Sequence, residues 1–287
     1  MRPGPPNHVE VCQSIAETRK KLKAAKRPLG LVPTMGFLHA GHLALVKRAR
    51  QENETAVVSI FVNPTQFGPN EDFGDYPRDM SRDLRLLEKQ GIDFVFAPDV
   101  GDMYPADFGT VVQVERVTEQ LEGASRPGHF RGVATVVTKL FNIVQPDRAY
   151  FGQKDAQQLR VIRKMVDDLN MPVDIRAVPI VREKDGLALS SRNVRLSADE
   201  RQAALVLARS LDAARQLYDA GERNAQRVRD AMRSTLADVP SELARPDYVS
   251  VADADTLREL ERIDRPALVS LAVRVGPVRL IDNICLG

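Results

Sequence analysis

The tetrapeptide His39-Ala40-Gly41-His42 carries two imidazoles three residues apart. Once such a segment is helical, both side chains fall on one face and can meet one ligand. Leu31-Val32-Pro33-Thr34 reads as the end of a strand, and Met35-Gly36-Phe37-Leu38 carries the chain into the helix that the histidines open. A helix amino terminus adds unpaired N–H groups and a partial positive charge, which suits a triphosphate. Gly41 leaves room for a base or ribose against the backbone. Two other readings stand beside this one. A histidine pair at this spacing is sometimes a metal site, although neither the glutamate of HExxH nor a third ligand accompanies it. A structural pair, with both rings capping or packing, is the other. No GxxxxGK[ST] occurs, so a P-loop is not the nucleotide-binding device.

Four further segments carry chemistry. Phe61-Val62-Asn63-Pro64-Thr65-Gln66-Phe67-Gly68-Pro69-Asn70-Glu71-Asp72 leaves a strand, with Tyr76-Pro77-Arg78 just beyond. The amides of Asn63 and Gln66 both donate and accept, as a pocket for a polyhydroxy acid requires, although an asparagine-proline turn is also an ordinary loop. Arg126-Pro127-Gly128-His129-Phe130-Arg131-Gly132 precedes a helix. Phe151-Gly152-Gln153-Lys154-Asp155-Ala156-Gln157-Gln158-Leu159 follows a strand, so that Lys154 sets a compact positive charge at a strand-to-helix turn. Asp155 either takes a ribose hydroxyl or caps the helix, and Gln158 lies one turn in, where it would face the same crevice as Gln66. Val181-Arg182-Glu183 and Leu187-Ala188-Leu189-Ser190-Ser191-Arg192-Asn193 offer two hydroxyls and a guanidinium to the outer phosphates, or else a helix cap.

Positioning these loops requires a scaffold. From Ser14 to Ala177 short β-branched runs alternate with helical spacing, the pattern of βαβ units and a parallel sheet. Strands are predicted at Leu29–Pro33, Ala56–Val62, Phe94–Ala97, Ala149–Phe151 and Val173–Val178. Helices are predicted at Leu43–Gln51, Arg82–Gln90, Val133–Val144 and Ala156–Leu169. Right-handed crossovers then favour a Rossmann-like doubly wound sheet with ligands beyond the carboxyl ends of its strands. After Pro179 the pattern changes. Ser197 and Glu200 form a capping box for a long helix that Gly221 ends, and a second helix spans Asn224–Ala237. Strands at Tyr248–Val251, Leu268–Val275 and Val278–Ile284 follow, the last two joined at Gly276-Pro277. The expected α/β architecture is therefore a nucleotide-binding domain over 1–178 and a small α+β domain over 179–287.

The 287 residues include 41 basic and 39 acidic ones, which nearly cancel and provide no platform for nucleic acid or a membrane surface. Cys12 and Cys285 show no CxxC spacing, which fits a reducing cytoplasm. The amino terminus from Met1 to Glu10 is polar and proline-rich rather than a leader, and apolar runs such as Ala267–Val275 fall far short of the roughly 20 residues a membrane helix needs.

His39-Ala40-Gly41-His42 resembles the HxGH signature of the nucleotidyltransferase superfamily, which includes class I aminoacyl-tRNA synthetases and in which the histidines stabilise charge on an α-phosphate. The FVNPxQF string at Phe61–Phe67 closely resembles the pantothenate synthetases, and all five segments recur in that family's order. The likeness runs from Leu31 to Arg279-Leu280-Ile281-Asp282-Asn283. It implies an AMP-forming ligase that condenses pantoate with β-alanine through a pantoyl adenylate, releasing AMP and pyrophosphate. Because an acyl adenylate is readily hydrolysed, the small second domain is expected to act as a lid that excludes water. By this resemblance Met35, Gly36, Phe37, Leu38, His39, Ala40, Gly41 and His42 bind ATP, with His42 the proton donor and His39 its partner. Gly152, Gln153, Lys154, Asp155, Val181, Leu189, Ser190, Ser191 and Arg192 complete the ATP site, Lys154 assisting catalysis. Gln66 and Gln158 hold pantoate, and Gln66 also touches β-alanine. Magnesium is implied on the phosphates rather than in a protein cage, and the family is dimeric. Leu189 stands where the family usually has methionine, a swap of similar volume that leaves nucleotide packing little changed. Rival readings are a nucleotidyltransferase with a phosphorylated acceptor, a tRNA-binding relative of the synthetases, and a nucleotide-binding protein without catalysis.

Overall fold

Ser14 stops the first short strand, Glu10–Cys12 (β1), and starts the first helix, Ile15–Leu22 (α1), its hydroxyl accepting from the Glu17 N–H at 3.2 Å. The structure is a computed structural model that describes residues 8–69, 71 and 73–287; most of the polar amino terminus, and Asn70 and Asp72 of the asparagine-proline loop, lie outside them. The chain continues through Leu29–Thr34 (β2), Ala40–Glu52 (α2), Thr55–Ile60 (β3), Met80–Lys89 (α3), Phe94–Phe96 (β4), Val100–Met103 (α4), Glu122–Ser125 (α5), His129–Val144 (α6), Arg148–Gly152 (β5), Ala156–Asp168 (α7) and Asp174–Val178 (β6). Among the described residues, six strands form one parallel sheet in the order β1-β4-β3-β2-β5-β6. All six residues of β3 are buried, because helices cover both faces of a parallel sheet and an alternating pattern would leave polar groups without water. On one face Val32, Val58 and Val95 pack with Leu45, Val46 and Ala49 of α2 and Leu87 of α3.

The strand order reverses between β2 and β5, which pair at Gly30 with Arg148 and Leu31 with Ala149. In an open sheet of this kind the carboxyl ends at the reversal border the ligand crevice. The doubly wound architecture matches the expectation, and the differences are local. β1 and α1 were not expected, and β1 forms an edge by pairing with β4 alone. β3 ends at Ile60, two residues before the predicted end, and α6 begins four residues early, at His129, after Gly128 with φ 84°.

Contacts divide the chain into two units. The first runs to Thr118 and takes up Glu122–Gly152 and Gln158–Val178, whereas the second comprises Glu119–Leu121, Gln153–Gln157 and Pro179–Gly287. In the second unit Ala198–Ala204 (α8), Val206–Asp219 (α9) and Ala225–Leu236 (α10) precede an antiparallel sheet of Ala244–Asp253 (β7), Ala267–Val275 (β8) and Val278–Leu286 (β9). The Ser197 and Glu200 capping box is present, but the expected single long helix breaks at Leu205 into α8 and α9. Leu207 and Leu211 of α9 and Val228 and Met232 of α10 bury against Val251, Val269, Leu271 and Val273. A two-residue turn joins β8 to β9, with Gly276 at φ 52°. No helix among the described residues is long and apolar enough to cross a membrane.

Candidate active site

The turn that delivers the histidines is held by a buried carboxylate. After Thr34 the backbone passes into the left-handed region at Gly36, φ 81°, and Phe37, φ 50°. Only glycine enters that region without cost, so Phe37 needs external support. Asp83 of α3 supplies it, accepting from the N–H of Phe37 at 2.7 Å and of Leu38 at 2.8 Å. Thr34 Oγ1 accepts from the Gly36 N–H at 3.1 Å. Burial pushes the Asp83 carboxyl above its usual range, and the two peptide donors pull it back. Replacing Asp83 with alanine leaves the buried Leu38 N–H and the half-buried Phe37 N–H without their acceptor and is expected to cost about 2 to 4 kcal/mol. Urea unfolding checks this, and a loss below about 1 kcal/mol would mean the turn is held by something else.

His39 is the N-cap of α2. Its Nδ1 accepts from the Gly41 N–H at 3.1 Å, and the Nδ1 of His42 accepts from the His39 N–H at 3.4 Å. The ring centroids lie 4.1 Å apart. A nitrogen that accepts from a peptide N–H holds no proton, so each neutral ring carries its proton on Nε2. Capping and donation are therefore compatible, since they use different nitrogens. Among the turn's peptide donors, those of Gly36, Phe37, Leu38 and Gly41 are already bonded within the protein. An anion arriving here meets imidazole donors and the helix dipole rather than a ring of bare amides.

Asn63 organises the neighbouring turn and is consumed in doing so. As N-cap of the 3-10 turn Pro64–Gln66 it is buried, and its Oδ1 accepts from Thr65 Oγ1 at 2.9 Å and Tyr104 OH at 2.8 Å. Its Nδ2 donates to Gly132 O at 3.2 Å and to Gln66 Oε1 at 3.0 Å. The sequence reading of Asn63 as a pocket amide is thus corrected: its amide is committed to protein partners. Gln66, half-buried, has its oxygen engaged and its Nε2 directed at Met35 Sδ, 3.5 Å away, a weak acceptor that an oxygen ligand would outcompete. Gln158 lies half-buried on α7, and Gly152 closes β5.

In the second unit, Lys154 sits half-buried in the 3-10 turn Gln153–Asp155, with Asp155 exposed. Buried Asn283 of β9 grips this turn, its Nδ2 donating to Gln153 O at 3.0 Å and Lys154 O at 2.9 Å, and its Oδ1 accepting from Gln153 Nε2 at 3.3 Å. Its neighbour Asp282 is buried and takes both arms of Arg182, at 2.6 and 2.9 Å. Val181 and Leu189 come together where the Leu189 N–H meets Val181 O at 3.0 Å. Ser190 caps the 3-10 turn Ser191–Arg195, accepting from the Arg192 N–H at 3.2 Å, and its hydroxyl proton is available to donate elsewhere. Asn193 fastens that turn to Glu183 Oε1 at 3.0 Å and Ala188 O at 3.1 Å.

Comparison with known proteins decides the family. A family model described as pantoate-beta-alanine ligase matches residues 8–285. The chain belongs to the pantoate-β-alanine ligase family. Membership makes it a ligase that joins pantoate to β-alanine. The ligase is 63% identical over 276 residues to the pantothenate synthetase of Chloroflexus aurantiacus, covering 96% of this chain and 97% of that one. It resembles the crystal structure of pantothenate synthetase from Thermus thermophilus at 50% identity with a TM-score of 0.92, over 96% and 99% of the two chains. It also resembles the pantoate-beta-alanine ligase of Francisella tularensis, described as complexed with beta-gamma ATP and beta-alanine, at 32% identity and a TM-score of 0.77, over 96% and 97% of the chains.

Three supports escaped the sequence reading of the ligase. Asp83 and Asn283 act on turns far away in the chain, and no local spacing marks them. His129 belonged to a segment singled out without a role.

Proposed function

We propose that the ligase works in two steps through pantoyl adenylate. A carboxylate oxygen of pantoate attacks the α-phosphorus of ATP, the bond from that phosphorus to the β-bridging oxygen breaks, and pyrophosphate leaves. The free amine of β-alanine then attacks the acyl carbon, the carbon–oxygen bond to AMP breaks, and the amine loses its proton as pantothenate forms. The observation that carries this reading is the reciprocal capping of His39 and His42, which sets both neutral rings with Nε2–H as donor. Negative charge grows on phosphate oxygens in the first step, so preorganised donors count mainly in the transition state. His42 is assigned as proton donor, with His39, Lys154 and Arg192 as further donors.

Met35 to His42, Gly152 to Asp155, Val181 and Leu189 to Arg192 are assigned to ATP, which a relative is described as binding together with β-alanine. Gln66 and Gln158 are assigned to pantoate, and Gln66 also to β-alanine. The Nε2 of Gln66, resting on a thioether, supports that assignment. Magnesium enters as the counter-ion of the phosphates and keeps most of its own ligands there. The reading places the enzyme in the cytoplasm as a homodimer.

Isotope exchange between pyrophosphate and ATP tests the scheme. Exchange is expected only when pantoate is present, and AMP release only once β-alanine is added. Exchange without pantoate, or pyrophosphate release that never precedes amide formation, overturns the two-step reading.

A further inference from the structure

The loop that carries Gln66 is held by a side chain with no part in the proposed chemistry. His129 is the first residue of α6 and is buried, with its Nδ1 2.8 Å from the backbone carbonyl of Gln66. A carbonyl only accepts, so Nδ1 carries the proton and donates. The opposite nitrogen, Nε2, then has a lone pair, and it lies 3.1 Å from Arg126 Nη1, which donates to it. Arg126 is itself oriented by Glu71, to which its Nε and Nη2 donate at 2.7 Å each. Each of these donors has an acceptor, and the order of partners permits one tautomer.

The same helix approaches the Gln66 turn at backbone level. Three residues after His129, Gly132 lies so close that a Cβ built on it would stand 2.3 Å from Thr65 O and 2.6 Å from Gln66 N. The Gly132 carbonyl also accepts from Asn63 Nδ2. One face of the first turn of α6 thus meets both ends of the Pro64–Gln66 turn.

We propose that His129 is a positioning residue for pantoate, with the relay Glu71–Arg126–His129 fixing the backbone of Gln66 so that its side-chain amide faces the substrate. The relay rests on the assignment of Gln66 to pantoate. Burial, followed by the neighbouring Arg126 guanidinium, pushes the His129 ring down to about 4, against the opposing pull of the Gln66 carbonyl, Glu71 and Glu122. The ring therefore stays neutral where the enzyme works, and a proton on Nε2 would face the guanidinium.

The test compares two isosteres. Asparagine at position 129 places its amide nitrogen where Nδ1 was and keeps the bond to Gln66 O, whereas glutamine places its amide where Nε2 was and loses it. His129→Gln is expected to raise KM for pantoate about 10-fold, with kcat and KM for ATP changed less than about 3-fold, and His129→Asn, which keeps the bond to Gln66 O and loses only the one from Arg126, to raise KM for pantoate less than about 3-fold. Thermal midpoints of both variants identify any loss that is merely structural. As a second readout, the ring-nitrogen spectrum of the folded wild-type enzyme is expected to show a proton on Nδ1 of His129 and an Nε2 that stays unprotonated down to about pH 5. The relay is overturned if His129→Gln, once folded, leaves KM for pantoate unchanged, or if the spectrum shows the proton on Nε2. Gln66→Ala separates the two ideas: if it leaves KM for pantoate unchanged, the assignment of Gln66 fails, and if it raises KM while His129→Gln does not, only the relay fails.

Discussion

Changing His42 to asparagine is expected to lower kcat for pantothenate formation about 100 to 1000-fold while leaving the stability of the enzyme almost intact. The expectation follows from the division of labour between the two ring nitrogens. Nδ1 accepts from the His39 N–H and closes the cap of α2. An asparagine side-chain oxygen occupies nearly the same place and accepts the same bond, whereas nothing in asparagine replaces the Nε2–H. Alanine removes both functions and is expected to cost about a further 1 kcal/mol of stability through the lost cap. Measuring kcat and the urea midpoint for both variants separates the roles. An asparagine variant with near-normal turnover would falsify the assignment of His42 as proton donor.

A larger stability loss is expected from Arg182→Ala. Asp282 is buried and held on both oxygens by the guanidinium, and its Oδ1 also accepts from the Asn283 N–H at 2.8 Å. The bonded Asp282 carboxylate holds the Arg182 guanidinium more firmly protonated than usual. Removing the arginine strands a buried negative charge, which costs about 3 to 5 kcal/mol. The loss is expected to shrink when Asp282→Asn is added, because a neutral amide is cheaper to leave unpaired than a carboxylate. Chemical unfolding of both single variants and the double variant reads this coupling. If Arg182→Ala loses less than about 1 kcal/mol, the pair is not what holds this end of β9.

The parallel sheet was legible because strands buried on both faces read as short, mostly apolar runs without a charged residue, as Leu29–Thr34 and Thr55–Ile60 do. Glu10–Cys12 escaped notice because three residues at a sheet edge carry no period to detect. The break at Leu205 was hidden for a different reason: α8 and α9 share helical spacing, and the residue between them keeps helical dihedrals. Of the site, the residue types and loops were visible as motifs, since histidines, a lysine and glutamines cluster after strands. Their supports were not. Asp83 reaches Phe37 across 46 positions and His129 reaches Gln66 across 63, and such pairings depend on how helices dock rather than on neighbours in the chain. The double use of the imidazoles was likewise out of reach, because spacing places two rings on one face without saying which nitrogen each turns toward the backbone.

The grip of Asn283 on Gln153 and Lys154 bears on biosynthesis. Its partner Lys154 lies 129 positions earlier, so the ribosome must complete the intervening stretch before the clamp closes. Until then the turn that bears this ammonium lacks the three bonds that the Asn283 side chain makes to it. The Gln153–Asp155 turn is therefore anchored late in the life of the nascent polypeptide, and premature termination anywhere before position 283 yields a product in which the backbone under Lys154 lacks this anchor.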